Sequence, residues 1–555
     1  MKSCLISCCL IAFVLTSNRN YAQKSNIIAD TNITFIDASQ LPYSSVLPGD
    51  TVFLKAGNRH HLNIKNFNGQ AGKPIVFINE NGAVIINTDH YFGILVERCR
   101  YVKLTGSGDP KNFYGFRVEH VEHGAGLSIS DKTSDVEIEH VFISGTPIGG
   151  IYAKTDPDCS FTSTREKFTQ FNTVIHDCYL TNIGNEGMYI GSSKYYGQVV
   201  NCNGSDTLLM PSLLSGVKVY NNILTYTGWD GIQVSSASTN CQVHDNLVLF
   251  DSQSEMNNQM SGIIIGGGSK CDCYNNYIAN GKGIGIESHG LGGYRIFNNV
   301  IVNAGRTYFP DDPMKMKYGI YVTDVSVQQD SSFYILFNTI VNPKSDGIRF
   351  LSIKSKNSLA VSNAIINPGA FDFYENGGFS VKGKDSYVMI PNTASDLLVA
   401  NNFFDRTQDA ACFSDSAYRF RGVSPLVDAA YPINKGVNFD FDFNRRPYGK
   451  ASDIGAFEYQ YSDTVSPGPG FGSPFVYPNP VKTIITLYFE LQDSSDVVLD
   501  IYSLNGQRIR SQNYGVQLKG KNDLVADVST LSSGIYLYFL RGDSQSESGK
   551  FIKIK

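Results

Sequence analysis

The sequence predicts an all-β protein: a right-handed parallel β-helix of three-strand coils, followed by a small antiparallel β-sandwich. Three observations predict it. An Asn-centred phrase recurs as Val219-Tyr220-Asn221-Asn222-Ile223, Val243-His244-Asp245-Asn246-Leu247, Cys273-Tyr274-Asn275-Asn276-Tyr277, Ile296-Phe297-Asn298-Asn299-Val300, Leu336-Phe337-Asn338-Thr339-Ile340 and Val361-Ser362-Asn363-Ala364-Ile365. A Gly-initiated strand recurs between these phrases: Gly187-Met188-Tyr189-Ile190, Gly231-Ile232-Gln233-Val234, Gly262-Ile263-Ile264-Ile265, Gly283-Ile284-Gly285-Ile286, Gly319-Ile320-Tyr321-Val322 and Gly347-Ile348-Arg349-Phe350. Beyond residue 460, a Pro/Gly-rich stretch gives way to short alternating strands.

The shortest repeat spacing is about 21 residues, which suits a coil of three short strands and is too short for most strand-plus-helix units. A single coil cannot bury its apolar face. Coils stacked at about 4.8 Å build a continuous core and satisfy one another's backbone groups. An Asn or Asp recurs at one turn, at Asp177, Asn221, Asp245, Asn275, Asn298, Asn338, Asn363 and Asn401. Such residues tolerate left-handed turn geometry and can hydrogen-bond their copies above and below, so they are read as structural. The leucine-spaced phrase of the competing solenoid is absent.

The flanks complete the plan. Lys2, the apolar run Leu5 to Leu15 and then Tyr21-Ala22-Gln23 have the anatomy of a cleavable signal peptide over residues 1–23. The alternative, a lipoprotein signal at Leu5-Ile6-Ser7-Cys8, places its cysteine before most of the apolar run. No later apolar run is long enough to span a bilayer. Residues 24–459 are assigned to the β-helix with its opening and closing segments, 460–474 to a linker, and 475–555 to the sandwich, with a hairpin turn at Asn505-Gly506. The formal charge of −5 comes without basic clustering, which argues against nucleic-acid partners. A monomer is expected.

Of the eleven cysteines, Cys4, Cys8 and Cys9 would leave with the leader, and the rest would enter an oxidising setting. Cys241 and Cys271 occupy equivalent repeat positions and could face each other, and Cys159 and Cys202 lie in insertions that could adjoin. Cys99, Cys178, Cys273 and Cys412 fit buried free thiols at least as well.

With these residues in hand, the stretch from about residue 90 to 405 resembles the β-helix families that include pectate, alginate and chondroitin lyases and polygalacturonases. Pro48-Gly49-Asp50-Thr51-Val52-Phe53-Leu54-Lys55 and Pro74-Ile75-Val76-Phe77-Ile78 look like their opening coils, and Asp453-Ile454-Gly455-Ala456-Phe457-Glu458-Tyr459 like their closing segment. The phrases Tyr477-Pro478-Asn479-Pro480, Ile501-Tyr502-Ser503-Leu504-Asn505-Gly506-Gln507, Leu531-Ser532-Ser533-Gly534-Ile535-Tyr536 and Lys553-Ile554-Lys555 resemble the C-terminal sorting domain of the type IX secretion system. That resemblance implies export by this machinery to the medium or outer cell surface of a Gram-negative bacterium of the Bacteroidetes type. It leaves open whether the tail is removed.

Alternate residues of the Gly-initiated strand should point outward. One expected row runs Ser128, Tyr152, Tyr189, Gln233, Ile264, Gly285, Tyr321, Arg349; the next runs Ser130, Lys154, Gly191, Ser235, Gly266, Glu287, Thr323, Leu351. Insertions near 155–173, 194–216, 251–260 and 304–318 would wall a groove over this sheet. Tyr152, Tyr189 and Tyr321 offer aromatic faces to sugar rings, with Gln233 as a polar neighbour. Glu287 and His289, beside Tyr321 and Arg349, form a set that could neutralise a uronate and abstract its C5 proton, with Lys154 as an alternative base. A solvated charge cluster is the plainer reading.

Hydrolysis would need two carboxyls, and Glu186 and Asp230 each precede the Gly of successive repeats. Trp229-Asp230-Gly231-Ile232 and Ser288-His289-Gly290 resemble two polygalacturonase motifs, but Met260-Ser261-Gly262 stands where that family carries an aspartate pair. Many β-helix lyases use calcium. Asp311-Asp312 or Asp251 with Glu255 could supply oxygens, though neither forms a diagnostic loop, and no metal ligands are assigned. The expected function is polysaccharide cleavage, by β-elimination ahead of hydrolysis. A non-catalytic glycan-binding or adhesive protein is the alternative.

Overall fold

The structure is a computed structural model, and it describes residues 26–309, 315–369, 387–414, 418–460, 475–477, 479, 481–504, 506–543 and 546–553. The expected leader, nearly all of the linker, Asp311, Asp312 and Asn505 lie outside the described residues.

The body is a right-handed parallel β-helix. Each complete coil gives one strand to an all-parallel sheet that runs from Phe35–Asp37 to Val388–Met389, and two to a second parallel surface. One coil comprises Ile232–Val234, Cys241–His244 and Leu247–Leu249; the next comprises Ser261–Ile265, Cys271–Tyr274 and Tyr277–Ala279. Inward side chains stack on their copies, as in the column Ile232, Ile263, Ile286, Ile320 and Ile348, all fully buried. Each such side chain contributes about 1.5–3 kcal/mol by leaving water.

The Asn turn divides into two columns with different tasks. Left-handed backbone falls at Asp177, Asn221, Asp245, Asn275, Asn298 and Asn401, but at Phe337 and Ser362 in the two coils where Asn338 and Asn363 were expected to take it. Asn338 and Asn363 belong to the following column, in which the side-chain amide of each residue donates to the next carbonyl oxygen: Asn222 to Asn246 (3.1 Å), Asn246 to Asn276 (3.0 Å), Asn276 to Asn299 (3.0 Å), Asn299 to Asn338 (3.0 Å), Asn338 to Asn363 (2.9 Å) and Asn363 to Asn402 (3.0 Å). A carboxamide carries both donor and acceptor, so a buried column of them is self-satisfying. Outside the turn, His176, Tyr220, His244, Tyr274 and Phe297 form an aromatic stack with centroid spacings of 4.6–5.1 Å.

The outward rows differ from expectation at one coil. Ile264 pairs with Glu287, not Gly285, so a single row runs Ser128, Tyr152, Tyr189, Gln233, Ile264, Glu287, Tyr321, Arg349. The repeat glycine of that coil is Gly285. A Cβ there would lie 2.5 Å from the Gly319 carbonyl and 2.5 Å from the Ile301 side chain, the close approach also met at Gly231, Gly262 and Gly319. Gly283 makes a different set of contacts.

Two disulfides, Cys159–Cys202 and Cys241–Cys271, join the expected partners, and Cys99, Cys178, Cys273 and Cys412 are free thiols. The closing segment packs along the side of the solenoid: Gly455 N–H donates to Ser362 O at 2.9 Å, and Arg446 and Glu458 form a buried ion pair at 2.9 Å. Residues 475–553 form a three-stranded and a four-stranded antiparallel sheet around their own core, which includes Ile485, Leu499 and Phe551. This unit rests on the β-helix. Tyr502, Leu537 and Phe539 pack with Phe113, Tyr114 and Leu247; the Tyr502 hydroxyl donates to Pro110 O at 2.9 Å, and Lys550 reaches the Asp245 carbonyl beside the aromatic stack.

Candidate functional site

The corrected register draws the acid, phenol and guanidinium into one outward row. Glu287, Tyr321 and Arg349 occupy successive coils, and His289 lies two residues beyond Glu287 on the same strand edge. Glu287 Oε1 lies 2.9 Å from His289 Nε2, and Ser261 Oγ donates to Glu287 Oε2 at 2.6 Å. The Thr323 hydroxyl lies 2.5 Å from His289 Nδ1. Burial alone would raise the Glu287 pKa, but the hydrogen bond and charge of His289, the Ser261 hydroxyl and the charge of Lys317 outweigh it and hold the carboxyl below its usual range. Glu287 is therefore ionised, with an imidazole and a hydroxyl fixing both oxygens.

Asp230 behaves in the opposite way. It is fully buried, its Oδ1 accepts the Ser261 N–H at 2.8 Å, and its Oδ2 has no hydrogen-bond partner. Burial, then the charges of Glu287 and Glu186, push its pKa well above the carboxylate range. Two carboxyls that bind one serine thus have opposite protonation preferences. Lys317 adds a cation close enough to be felt by Glu287, Asp230 and Asp251, and desolvation lowers its own pKa. Arg349 is tethered to Asp346 at 2.9 Å and covers the Tyr318 ring at 5.2 Å; burial raises Asp346 to about 6. Tyr321 lies 4.9 Å from Tyr318, and burial and Glu287 raise its phenol pKa. His289 (23%), Arg349 (21%) and Glu287 (13%) keep exposed surface in this cluster, and Tyr321 and Lys317 are half-buried, so these are the groups a ligand can meet.

The remaining candidates lie farther along the row. Glu186, the carboxyl just before the repeat glycine Gly187, turns to the Tyr152 hydroxyl at 3.0 Å, while Asp230 turns to Ser261. The two carboxyls precede the glycines of successive repeats, and their hydrogen bonds aim them at opposite neighbouring coils. Lys154, the alternative base, is held by Asp156 at 2.9 Å and lies 4.8 Å over the Tyr189 ring, so its charge is already engaged. Gln233 is only 4% exposed and donates to Ser235 at 3.3 Å, which removes it from the surface available to a ligand. Tyr152 and Tyr189 meet edge to face at 5.6 Å, and Tyr152 and Lys154 line a groove of about 570 Å³ with Ser128, Asp131 and Thr162. Three coil steps, roughly 14 Å, separate Tyr189 from Glu287. Tyr152 and Tyr189 therefore occupy a different stretch of the row from the acid cluster, and of the three outward tyrosines Tyr321 alone adjoins Glu287.

The insertions stand on both flanks. Strands Gln198–Cys202 and Ser205–Leu209 form a hairpin tied to the preceding insertion by Cys159–Cys202, and Arg165 N–H bonds to Met210 O at 3.0 Å. On the opposite flank, Lys282 pairs with the exposed Glu255 at 2.6 Å, whereas Asp251 is buried and bound by Ser252 at 2.7 Å. Lys317 and Asp346 were not among the sequence candidates, Ser261 entered only within Met260-Ser261-Gly262, and no repeat position marks Lys317. The signal was the column just before the repeat glycines, where Asp230, Ser261, Tyr318 and Asp346 align.

Fold and tail together define the class: a right-handed parallel β-helix protein that carries a secretion sorting domain. Residues 475–555 match the family described as the secretion system C-terminal sorting domain, which marks the chain for export and attachment at the surface of a Bacteroidetes-type Gram-negative bacterium. No curated protein matches the chain. Among solved structures, it is similar to an alginate lyase from Paenibacillus sp. str. FPU-7 at 13% identity and TM-score 0.38, covering 58% of this chain and 95% of that one. A GH136 lacto-N-biosidase from Eubacterium ramulus gives 12% and 0.42, covering 65% and 63%. Pectate lyase Pel9A gives 12% and 0.38, covering 78% and 98%. Likenesses this distant carry no argument about activity. No helix among the described residues is long and apolar enough to cross a membrane.

Proposed function

We propose that the protein cleaves an acidic polysaccharide by β-elimination at the Glu287 cluster. The observation that carries this reading is an ionised Glu287 bound to His289, with Tyr321 and Arg349 on the next two coils and Lys317 beside it. Arg349 and Lys317 would meet the uronate carboxylate and stabilise the charge that develops when the C5 proton leaves. His289 would take that proton at Nδ1 after substrate displaces the Thr323 hydroxyl, with Glu287 stabilising the imidazolium. Tyr321, kept protonated by its raised pKa, would donate to the leaving glycosidic oxygen.

Hydrolysis is the second reading, favoured by the protonation split between Asp230 and Glu287. The complete burial of Asp230 weighs against it, because a proton donor must reach the scissile oxygen. The test is an assay of the full chain on acidic and neutral polysaccharides, following ultraviolet absorbance of unsaturated uronates and new reducing ends. Absorbance that is lost in both His289→Ala and Arg349→Ala supports elimination. Reducing ends without absorbance would establish the hydrolase, and silence on both with retained glycan binding would leave a surface adhesin.

A further inference from the structure

Three of the nine histidines meet at one corner of the opening coils, away from the acid cluster. His60 and His61 join strand Thr51–Arg59 to Leu62–Lys65, and His90 lies between Ile75–Thr88 and Phe92–Glu97 on the next coil. One ring nitrogen from each lies within 4.8 Å of the others. His60 Nδ1 and His61 Nδ1 are 3.0 Å apart. Two nitrogens that share one ion at about 2.0–2.1 Å lie roughly 2.9–3.4 Å apart.

Two further features point to a ligand. His60 Nε2 is 2.9 Å from Asp89 Oδ1, the carboxylate–imidazole contact that fixes a ligating histidine's tautomer and turns the lone pair of its other nitrogen outward. His61 is only 6% exposed, so its Nδ1 meets His60 in a largely desolvated corner. Its ring stacks on His90 at 4.3 Å, and Phe35 and Phe92 close around it edge-on at 5.4 and 6.2 Å.

We propose that His60, His61 and His90 form a binding site for a divalent transition-metal ion of the imidazole-preferring class, such as Zn²⁺, with Asp89 orienting His60. The all-nitrogen donor set disfavours Ca²⁺ and Mg²⁺, which take oxygen ligands. The ion would join the corners of two adjacent coils near the end of the solenoid, where fewer neighbours hold each coil in place. It would stabilise the opening coils by binding the folded state alone. Four coil steps, roughly 19 Å, separate this corner from the equivalent corner at Glu186, so the site stands independently of the proposed cleavage reaction.

The test titrates chelator-treated full-length protein with ZnSO₄, reading binding by calorimetry and the thermal midpoint alongside. The expected result is a single equivalent bound and a midpoint that rises with Zn²⁺, with no such rise for Ca²⁺. His60→Ala and His90→Ala should each weaken binding about 100-fold or more. His123→Ala, which removes an exposed imidazole on the next coil paired with Glu122, should leave it unchanged. Both substituted ligands are at the exposed rim, and circular dichroism of the metal-free variants should match the parent. No binding heat and no shift in the parent would mean a merely hydrogen-bonded imidazole cluster and overturn the proposal, as would a shift retained in the His60→Ala/His90→Ala double variant.

Discussion

Replacing Asn276 with Ala should cost more stability than its size suggests. The side chain is fully buried; its Oδ1 receives the Asn246 backbone N–H at 3.1 Å and the Asn246 amide at 3.0 Å, and its Nδ2 donates to Val243 O at 3.0 Å and Asn299 Oδ1 at 3.0 Å. Two of these partners have other hydrogen bonds after truncation: Asn246 Nδ2 still reaches Val219 O at 2.9 Å, and Asn299 Oδ1 still takes the Asn276 N–H at 3.0 Å. The Asn246 N–H loses its acceptor, and the Val243 carbonyl loses this donor. At about 1–3 kcal/mol for each buried group, the loss should be about 2–6 kcal/mol. Asn402, at the half-buried end of the column, can turn to water, and Asn402→Ala should cost about 1 kcal/mol. Urea unfolding followed by circular dichroism measures both, with equal slopes required for the comparison. A loss below about 1 kcal/mol for Asn276→Ala, or equal losses at the two positions, would refute the claim that the buried column is a cohesive element.

Asp346 has a folded pKa raised by burial to about 6, above the unfolded value of about 3.9, so the folded state binds the extra proton and wild-type stability falls as pH rises through this window. Asp346→Asn lacks that dependence, and its stability relative to wild type should improve by about 3 kcal/mol between pH 3 and pH 7; a pH-independent difference would sink the assignment. Non-reducing peptide mapping should recover Cys159 linked to Cys202 and Cys241 linked to Cys271, and loss of the first bridge should lower stability by up to about 4 kcal/mol. Any other linkage would require a different arrangement of the two insertions.

Much of the fold was legible because the repeat is enforced by close packing. The glycines that open the site strands are required where a Cβ would strike the carbonyl of the next coil, and the alternating Ile and Val residues must face the core. The one misplaced coil shows the limit. Gly283-Ile284-Gly285-Ile286 contains two glycines with the same local pattern, and only Ile301 and the Gly319 carbonyl, on neighbouring strands, distinguish them. A shift of two residues preserves inside and outside, so alternation could not detect it. The turn column was blurred for a similar reason: adjacent Asn residues in Asn275-Asn276 serve two needs, a left-handed backbone and an internal hydrogen-bond column.

The sequence by itself determined the coil, the export tail and the residue types available for chemistry, because these follow from local periodicity, turn chemistry and contiguous motifs. Tertiary structure alone decided which of those residues meet. Glu287 reaches back to Ser261, Asp230 is sealed with burial pushing its pKa upward, Gln233 is covered, and Lys317 arrives from an insertion. Side-chain direction, burial and the field of neighbouring charges depend on adjacent coils that lie more than twenty residues away in the chain, and no local pattern encodes them.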